Sequence, residues 1–290
     1  MILVGVDGSP AALEAVSWAV QEAALRGAGL RVVHVMPGWP LEMSEDAPYA
    51  DVGRWMRDGA ASMLTDAVER AREEDGRVSV ESQLLPGDPR RVLIEAAKEA
   101  DLLVVGSHGL GGFSGMLLGS VALGVAGHAS CPVAVVRTVP AQVRGEVAVG
   151  VDGSPAGMAA VGFAFAEASL RGAALRAVHA WDRPLVGGGP FARTAAEERA
   201  EGERRLLAEA LAGWAGRHPD VKVTEQVEQG HPVEVLKSAS EHADLLVVGS
   251  RGRGGLAGLL LGSVSHALLH HAACPLVVAS GTPAWGPSAS

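Results

Sequence analysis

Residues 102–120 read LLVVGSHGLGGFSGMLLGS, and residues 245–263 read LLVVGSRGRGGLAGLLLGS. Each stretch opens with a continuous apolar run, which is typical of a buried parallel strand, and continues into a glycine-rich turn before an expected helix. Glycine backbone and a helix N-terminus both present N–H groups to an anion. The spacing G-x2-G-x9-G-S therefore predicts two phosphate-binding loops in one chain. The motif residues are Gly106, Gly109, Gly119 and Ser120 in the first copy and Gly249, Gly252, Gly262 and Ser263 in the second.

The remainder of the chain repeats as well. VGVDGSP occurs at 4–10 and at 149–155, and HASCPVAVV at 128–136 corresponds to HAACPLVVA at 271–279. The sequence is therefore a tandem duplication of one domain of roughly 140 residues, which is near the usual domain size. We expect domain 1 over residues 1–137 and domain 2 over residues 146–280, with a linker between them.

Composition limits the partners. The 290 residues are 48% hydrophobic and carry a formal net charge of −9, which argues against nucleic acid or an anionic membrane as a main partner. The first residues, MILVGVDG, read as a strand and not as a signal peptide, and the most apolar windows are too short or too polar to span a bilayer. These features predict a cytoplasmic protein without a membrane or nucleic-acid partner. Cys131 and Cys274 are repeat equivalents and are expected to be small core residues.

Short β-like runs alternate with helical patterns in both halves, which predicts an α/β fold built from parallel β-α-β units. We predict two doubly wound five-stranded parallel-sheet domains of strand order 3-2-1-4-5. In this order strands one and four are neighbours at the point where the sheet reverses, and ligands bind there at the carboxyl ends of the strands. The turn VDGSP follows strand one and the glycine turn follows strand four. Both motifs of a domain should therefore meet in one crevice.

The residues of the first-strand motif leave alternatives open. Gly5 and Gly150 lie inside strands, where glycine indicates close approach either of a ligand or of a packed helix. Asp7 and Asp152 end these strands. Each carboxylate could bind a base or ribose, hold a magnesium ion together with phosphates, or cap its own turn.

The two glycine loops differ in charge. The domain 1 loop has no lysine or arginine, so phosphate binding there would rely on N–H groups, Ser120 and His108. The domain 2 loop has Arg251 and Arg253, which could pair with phosphate or remain a solvated loop. If they bind phosphate, domain 2 is the stronger site.

These motifs together resemble the universal stress protein family, specifically its tandem-domain ATP-binding branch. The resemblance rests on VGVDGSP, on G-x2-G-x9-G-[ST] and on H-A-x-C-P-[VL] in both halves, and it covers nearly the whole chain. It implies one ATP per domain, two per chain, bound with magnesium. It also implies dimerisation, either as a homodimer or as an intramolecular pseudo-dimer in which the last strands of the two halves pair. The nucleotide-binding residues that it implies, with the flanking loop residues, are Gly5, Asp7, Val35, Gly106, Ser107, His108, Gly109, Gly119 and Ser120 in domain 1, and Gly150, Asp152, Ala180, Gly249, Ser250, Arg251, Gly252, Arg253, Gly262, Ser263 and Ser265 in domain 2.

Domain 1 departs from the pattern at one position. Family members often carry a second hydroxyl two residues after the first. Domain 2 keeps it as Ser265, whereas domain 1 has Ala122. His34 and His179 are repeat equivalents inside second strands and are expected to be structural. No zinc-ligand spacing is present.

The function that the sequence favours is an ATP-binding stress-response regulator, whose conformation or assembly depends on nucleotide. Two alternatives remain. One is a slow ATPase or nucleotidyltransferase-like enzyme, and the other is a structural dimerisation module whose loops do not bind nucleotide.

Overall fold

The fold of each half follows from its apolar strand segments. The structure is a computed structural model and describes residues 1–109, 118–154, 157–181, 190–252 and 261–280. The chain divides into two units, Met1–Val139 and Pro140–Ser290, and each holds five strands. The strands of the first unit are β1 Ile2–Val6, β2 Leu30–Met36, β3 Val80–Pro86, β4 Leu102–Gly106 and β5 Val133–Val136. Those of the second unit are β6 Glu146–Gly150, β7 Ala174–Trp181, β8 Val223–Gln229, β9 Leu245–Gly249 and β10 Leu276–Ala279.

Helices connect the strands, as the parallel topology requires. In the first unit they are α1 Pro10–Arg26, α2 Trp39–Glu42, α3 Ala50–Glu74, α4 Pro89–Ala96 with a 3-10 turn at Ala97–Glu99, and α5 Ser120–His128. In the second unit they are α6 Met158–Arg171, α7 Pro190–Ala215, α8 Pro232–Ser240 and α9 Ser263–His271. In the part of the chain that the structure describes, no helix is long and apolar enough to cross a membrane.

Both sheets have the predicted order. In the first unit β1 pairs in parallel with β2 and with β4, β2 also pairs with β3, and β4 also pairs with β5. The second unit repeats this arrangement, with β6 between β7 and β9, β8 outside β7 and β10 outside β9. The strand order 3-2-1-4-5 and the doubly wound α/β class are confirmed. Pairing between the last strands of the two halves stays a prediction.

The central strands form the core of each unit. The four residues Leu102–Val105 of β4 are at most 3% exposed, and the equivalent residues of β9 are equally buried. The helix that follows the first strand begins and ends at clear signals in domain 1. The Ser9 hydroxyl accepts the N–H of Ala12 at 3.2 Å, and Gly27 ends α1 with φ +59°, in the left-handed region that favours glycine.

Two features go beyond the sequence expectation. The short helix α2 at Trp39–Glu42 follows β2, and Pro40 lies at its start, where the missing N–H leaves no bond unmade. The Glu-x3-Arg spacing within α1 and α6 is typical of an ion pair on a helix surface, and the burial of both pairs had no sequence signal. Glu22 is fully buried beside Arg26, and Glu167 is 1% exposed beside Arg171.

Candidate functional site

The two strongest motifs of domain 1 meet, as the strand order predicted. Asp7 directly follows β1 and Gly109 follows β4, and a Cβ atom at residue 109 would lie 2.1 Å from Asp7 Oδ2. The Ser9 hydroxyl donates to the carbonyl of His108 at 3.3 Å. Residues separated by about a hundred positions in the sequence are therefore in direct contact at the carboxyl ends of neighbouring strands.

Domain 2 repeats the contact. A Cβ atom at Gly252 would lie 2.7 Å from Asp152 Oδ2. Neither Gly109 nor Gly252 has a positive φ, so the space around the carboxylate, and not the backbone conformation, explains why glycine occupies these positions.

A backbone hydrogen bond joins the two ends of each glycine loop just before the next helix begins. The N–H of Gly119 donates to the carbonyl of Ser107 at 2.7 Å, and that of Gly262 donates to the carbonyl of Ser250 at 2.8 Å. Gly119 and Gly262 are the N-cap residues of α5 and α9, and no side chain caps either helix. The first turns of these helices therefore direct backbone N–H groups outward, where an anion could accept them.

A cleft lies beside each of these helix N-termini. The domain 1 cleft has a volume of about 480 Å³, and the domain 2 cleft has a volume of about 340 Å³. Both volumes are within the usual range of small-molecule sites. The domain 1 cleft is lined by the apolar side chains of Val33, Val35, Leu93 and Val105 and by the loop and helix residues Gly106, His108, Gly109, Gly119 and Ser120. The domain 2 cleft is lined by the equivalent residues, including Gly150, Asp152, Ala180, Gly249, Arg251, Gly252, Gly262, Ser263 and Ser265.

Comparison with known proteins assigns the family of the chain. The model of the family described as "Universal stress protein family" matches residues 1–137 and again residues 144–280. The chain belongs to the universal stress protein family. The resemblance inferred from the motifs is confirmed at the level of the family and its tandem arrangement. The ATP-binding subtype remains a prediction.

Relatives match this universal stress protein along its whole length. Two universal stress proteins of Mycobacterium tuberculosis are each 41% identical to it, over 291 and 286 residues, and one of Mycolicibacterium smegmatis is 40% identical over 289 residues. The alignments cover 96% of this chain and 95–96% of the relatives. A solved structure of a universal stress protein from Archaeoglobus fulgidus is 22% identical, covers 96% of this chain and 95% of its own, and superposes with a TM-score of 0.69. That likeness shows the fold.

The first-strand glycines of this universal stress protein make room for a helix side chain. A Cβ at Gly5 would lie 3.0 Å from a methyl group of Leu93 in α4, and one at Gly150 would lie 2.9 Å from the equivalent methyl group of Leu236 in α8. Gly106 has a different neighbour, because its Cβ would lie 2.8 Å from the backbone of Ala11 in α1. These contacts favour close packing as the reason for Gly5 and Gly150, although both residues also line their clefts.

The aspartates have one oxygen in the turn and one at the loop. Oδ1 of Asp7 accepts the N–H of Ser9 at 3.1 Å, and Oδ1 of Asp152 accepts the N–H of Ser154 at 2.9 Å. Oδ2 of each faces the glycine loop. The turn-capping role is therefore present, and it leaves the carboxylate at the edge of the cleft. In the described ranges, no three His, Cys, Asp or Glu side chains are placed to hold a metal ion.

The serines of the glycine loops are buried, whereas the basic residues that follow them line the clefts. The Ser107 side chain is fully buried, and its hydroxyl lies 2.9 Å from Nδ1 of His108. Ser250 is 8% exposed, and like Ser107 it is not among the residues that line a cleft. His108 and Arg251 do line their clefts. Arg253 lies outside the described residues.

The extra hydroxyl of domain 2 already has a partner. Ser265 is 4% exposed, and its hydroxyl donates to the carbonyl of Gly249 at 2.6 Å. A hydroxyl has one proton to donate, so Ser265 could donate to a phosphate only by leaving that carbonyl. Ser120 and Ser263, by contrast, are exposed at the first turn of their helices.

The second-strand histidines are buried against the first strands. Nδ1 of His34 donates to the carbonyl of Val6 at 2.8 Å, and Nδ1 of His179 donates to the carbonyl of Val151 at 2.6 Å. In domain 2 the other ring nitrogen lies 2.8 Å from Oε2 of Glu203 in α7. Each histidine thereby fixes the carbonyl that immediately precedes the cleft aspartate.

Both cysteines are buried in the cores of their units. Burial raises the pKa of the Cys131 thiol to about 11 and that of Cys274 to about 12. A thiol with a raised pKa is a poor nucleophile at neutral pH. These positions therefore fit the core role expected from the sequence.

Proposed function

We propose that each domain of this universal stress protein binds one adenine nucleotide, with ATP as the physiological ligand, and that nucleotide sets the conformation or assembly of the chain. The observation that carries the proposal is the placement of an uncapped helix N-terminus at the end of an apolar-walled cleft in both domains. The family relationship supports a regulatory role in stress response.

The residues that line the cleft suit both parts of a nucleotide. The side chains of Val33, Val35 and Leu93 are apolar and suit a purine ring. The same cleft is lined by glycine backbone, by the first turn of α5 and by the exposed Ser120 hydroxyl, which offer donors for phosphate oxygens. Apolar side chains and anion-binding donors in one cleft favour a nucleotide over a purely apolar ligand or a free anion.

Magnesium is compatible with this site. Mg²⁺ commonly uses one or two protein carboxylates together with substrate phosphates and water. Asp7 and Asp152 each place one carboxylate at the edge of a cleft, and this would suffice for an ion that arrives with ATP. The ion would neutralise phosphate charge, which matters in a chain of net charge −9.

The enzymatic alternative is slow ATP hydrolysis or nucleotidyl transfer. Its candidate base would be Asp7 or Asp152, and in each case Oδ1 already accepts a backbone N–H of the turn. That oxygen is therefore engaged in holding the turn, and Oδ2 of each aspartate faces the glycine loop. This observation favours binding over turnover. Phosphate release that rises in proportion to the concentration of the chain, and that is lost in the double variant Asp7→Asn with Asp152→Asn, would favour the enzyme instead.

Mass spectrometry of the natively purified chain tests the proposal without a chosen ligand. We expect ATP or ADP to be released on denaturation, at up to two molecules per chain. A thermal-shift titration with Mg-ATP distinguishes binding from the structural alternative, since a ligand at a hundred times its Kd stabilises the folded state by about 2.7 kcal/mol. A chain that releases no nucleotide and shows no shift would be a dimerisation module.

A further inference from the structure

A glycine inside α5 marks the position of an arginine from α4. Gly124 lies in the middle of the helix, where glycine is less favourable than alanine. A Cβ atom at Gly124 would lie 2.9 Å from Cδ and 3.1 Å from Cγ of Arg90. The missing side chain therefore leaves room for the aliphatic stem of Arg90, the second residue of α4.

This contact lies beside the anion-binding end of the domain 1 cleft. Ser120 and Gly124 are four residues apart, so they share one face of α5, with about 5–6 Å between neighbouring positions. Ser120 lines the cleft, and so does Pro89, the residue before Arg90. The Arg90 stem therefore contacts α5 one helical turn after Ser120, the first residue of that helix.

The Arg90 guanidinium has only weak local restraint. Its side chain is 54% exposed, and Nε forms an ion pair with Oδ1 of Asp88 at 3.7 Å, a separation at which an exposed pair contributes little. The Asp88 carboxylate accepts the backbone N–H groups of Arg90 and Arg91 as the cap of α4. An exposed arginine with a packed stem and a weakly paired head can turn toward an anion at low cost.

Domain 2 lacks this pair of residues. Leu93 and Leu236 have the same contact with their first-strand glycines, which aligns α4 with α8 and makes Val233 the equivalent of Arg90. Val233 is 9% exposed, and Ala267 of α9 stands where domain 1 has Gly124. Domain 2 therefore fills the same helix contact with apolar side chains.

Among the described residues, an arginine lies at or near the cleft of each domain, on a different element in each. In domain 2 it is Arg251, which lines the cleft from the glycine loop, whereas domain 1 has His108 at the equivalent position. In domain 1 it is Arg90 on α4. Domain 1 therefore has an arginine near its cleft, although its glycine loop contains none.

We propose that Arg90 binds the outer phosphates of the nucleotide in domain 1, and that Arg251 does so in domain 2. The inference rests on the proposed nucleotide function and names the residue through which domain 1 would distinguish ATP from AMP. Guanidinium groups bind phosphate oxygens bidentately, and the Arg90 stem contacts α5 one turn beyond Ser120, so we expect only the outer phosphates of a nucleotide to come within its reach. The difference in affinity between the two domains is then smaller than the loop sequences alone predict.

The test uses the full chain with domain 2 silenced by Gly252→Asp, titrated calorimetrically with ATP and with AMP. Arg90→Met keeps an apolar stem over Gly124 and removes the charge. We expect it to weaken ATP binding about tenfold, the effect of one lost charged contact, and to change AMP binding by less than about twofold. Arg90→Lys should restore most of the ATP affinity. The matched control is Arg91→Met, which removes an equal charge from the neighbouring residue and should leave both affinities within about twofold.

Four results would overturn the inference. Equal weakening by Arg90→Met and Arg91→Met would indicate general electrostatics, and equal weakening of ATP and AMP would indicate a structural role. An unchanged ATP affinity in Arg90→Met would remove Arg90 from the site while leaving the proposed function intact. A parent chain that binds neither nucleotide would refute the proposed function itself, and the inference with it.

Discussion

Gly109→Ala probes the contact on which the site depends. The new Cβ would lie 2.1 Å from Asp7 Oδ2 and 3.2 Å from Cγ, whereas ordinary van der Waals contact begins at 3.4 Å. The carboxylate must therefore retreat by about 1.3 Å. Because Oδ1 of the same group accepts the Ser9 N–H at 3.1 Å, this retreat breaks the bond that holds the turn.

The expected cost follows from that bond. A hydrogen bond to a charged group contributes about 1.5–3 kcal/mol, and alanine recovers about 0.4–1 kcal/mol by restricting the unfolded chain. The net loss in the free energy of unfolding should be about 1–2 kcal/mol. Gly252→Ala should cost less, since its Cβ lies 2.7 Å from Asp152 Oδ2 and requires a smaller displacement.

A double-mutant cycle isolates the contact. Urea unfolding of the full chain, combined with hydrogen exchange of the β4 segment to report on domain 1, gives the stability of Gly109→Ala in the parent and in Asp7→Ala. Without the carboxylate the new methyl group meets no obstruction, so Gly109→Ala should be neutral or slightly stabilising in Asp7→Ala. An equal cost in both backgrounds would show that glycine is required at 109 for some reason other than Asp7.

Three further predictions concern domain 2. Glu167→Gln removes the carboxylate that pairs with the buried guanidinium of Arg171, whose pKa burial already lowers to about 10. The free energy of unfolding should fall by about 3 kcal/mol in urea titrations, and an unchanged midpoint would show that the pair is not structural. Gly162→Ala places a Cβ 2.4 Å from the Trp214 ring, so the free energy of unfolding should fall by about 1–3 kcal/mol despite the better helix propensity of alanine. A variant that is stabilised in thermal denaturation would contradict this packing. Burial raises the pKa of Cys274 to about 12, so the native chain should react with iodoacetamide at pH 8 far more slowly than the urea-unfolded chain, and equal alkylation rates would refute the buried position. The free energy of unfolding should also fall as pH rises above the ordinary thiol pKa of about 8.5, because only the unfolded thiol then loses its proton.

The sequence predicted the sheet because its signals were local. LLVVG marks a buried strand by composition alone, and the duplicated motifs repeat every such signal. The meeting of Asp7 with Gly109 was also predictable, since strand order converts two local motifs into one crevice. Fold, strand order and family therefore followed from short segments.

The side-chain partners could not be predicted in the same way. Nothing near Gly5 in the sequence indicates that Leu93 packs against it, because that contact depends on how α4 crosses the sheet. The Ser265 hydroxyl was expected to serve a ligand, yet its neighbour is the carbonyl of Gly249. A signal for Arg90 did exist, since a glycine inside a helical segment usually has a packing reason, but the sequence does not show which residue occupies the space.

Titration calorimetry of the nucleotide-free full chain with Mg-ATP tests the central claim most directly. Both domains have an uncapped helix N-terminus at an apolar-walled cleft, so the account predicts two ATP molecules per chain. Gly109→Asp and Gly252→Asp, each of which adds a carboxylate beside an existing one, should each reduce the stoichiometry to one. A stoichiometry of one or zero for the parent chain would contradict the claim that both clefts bind nucleotide.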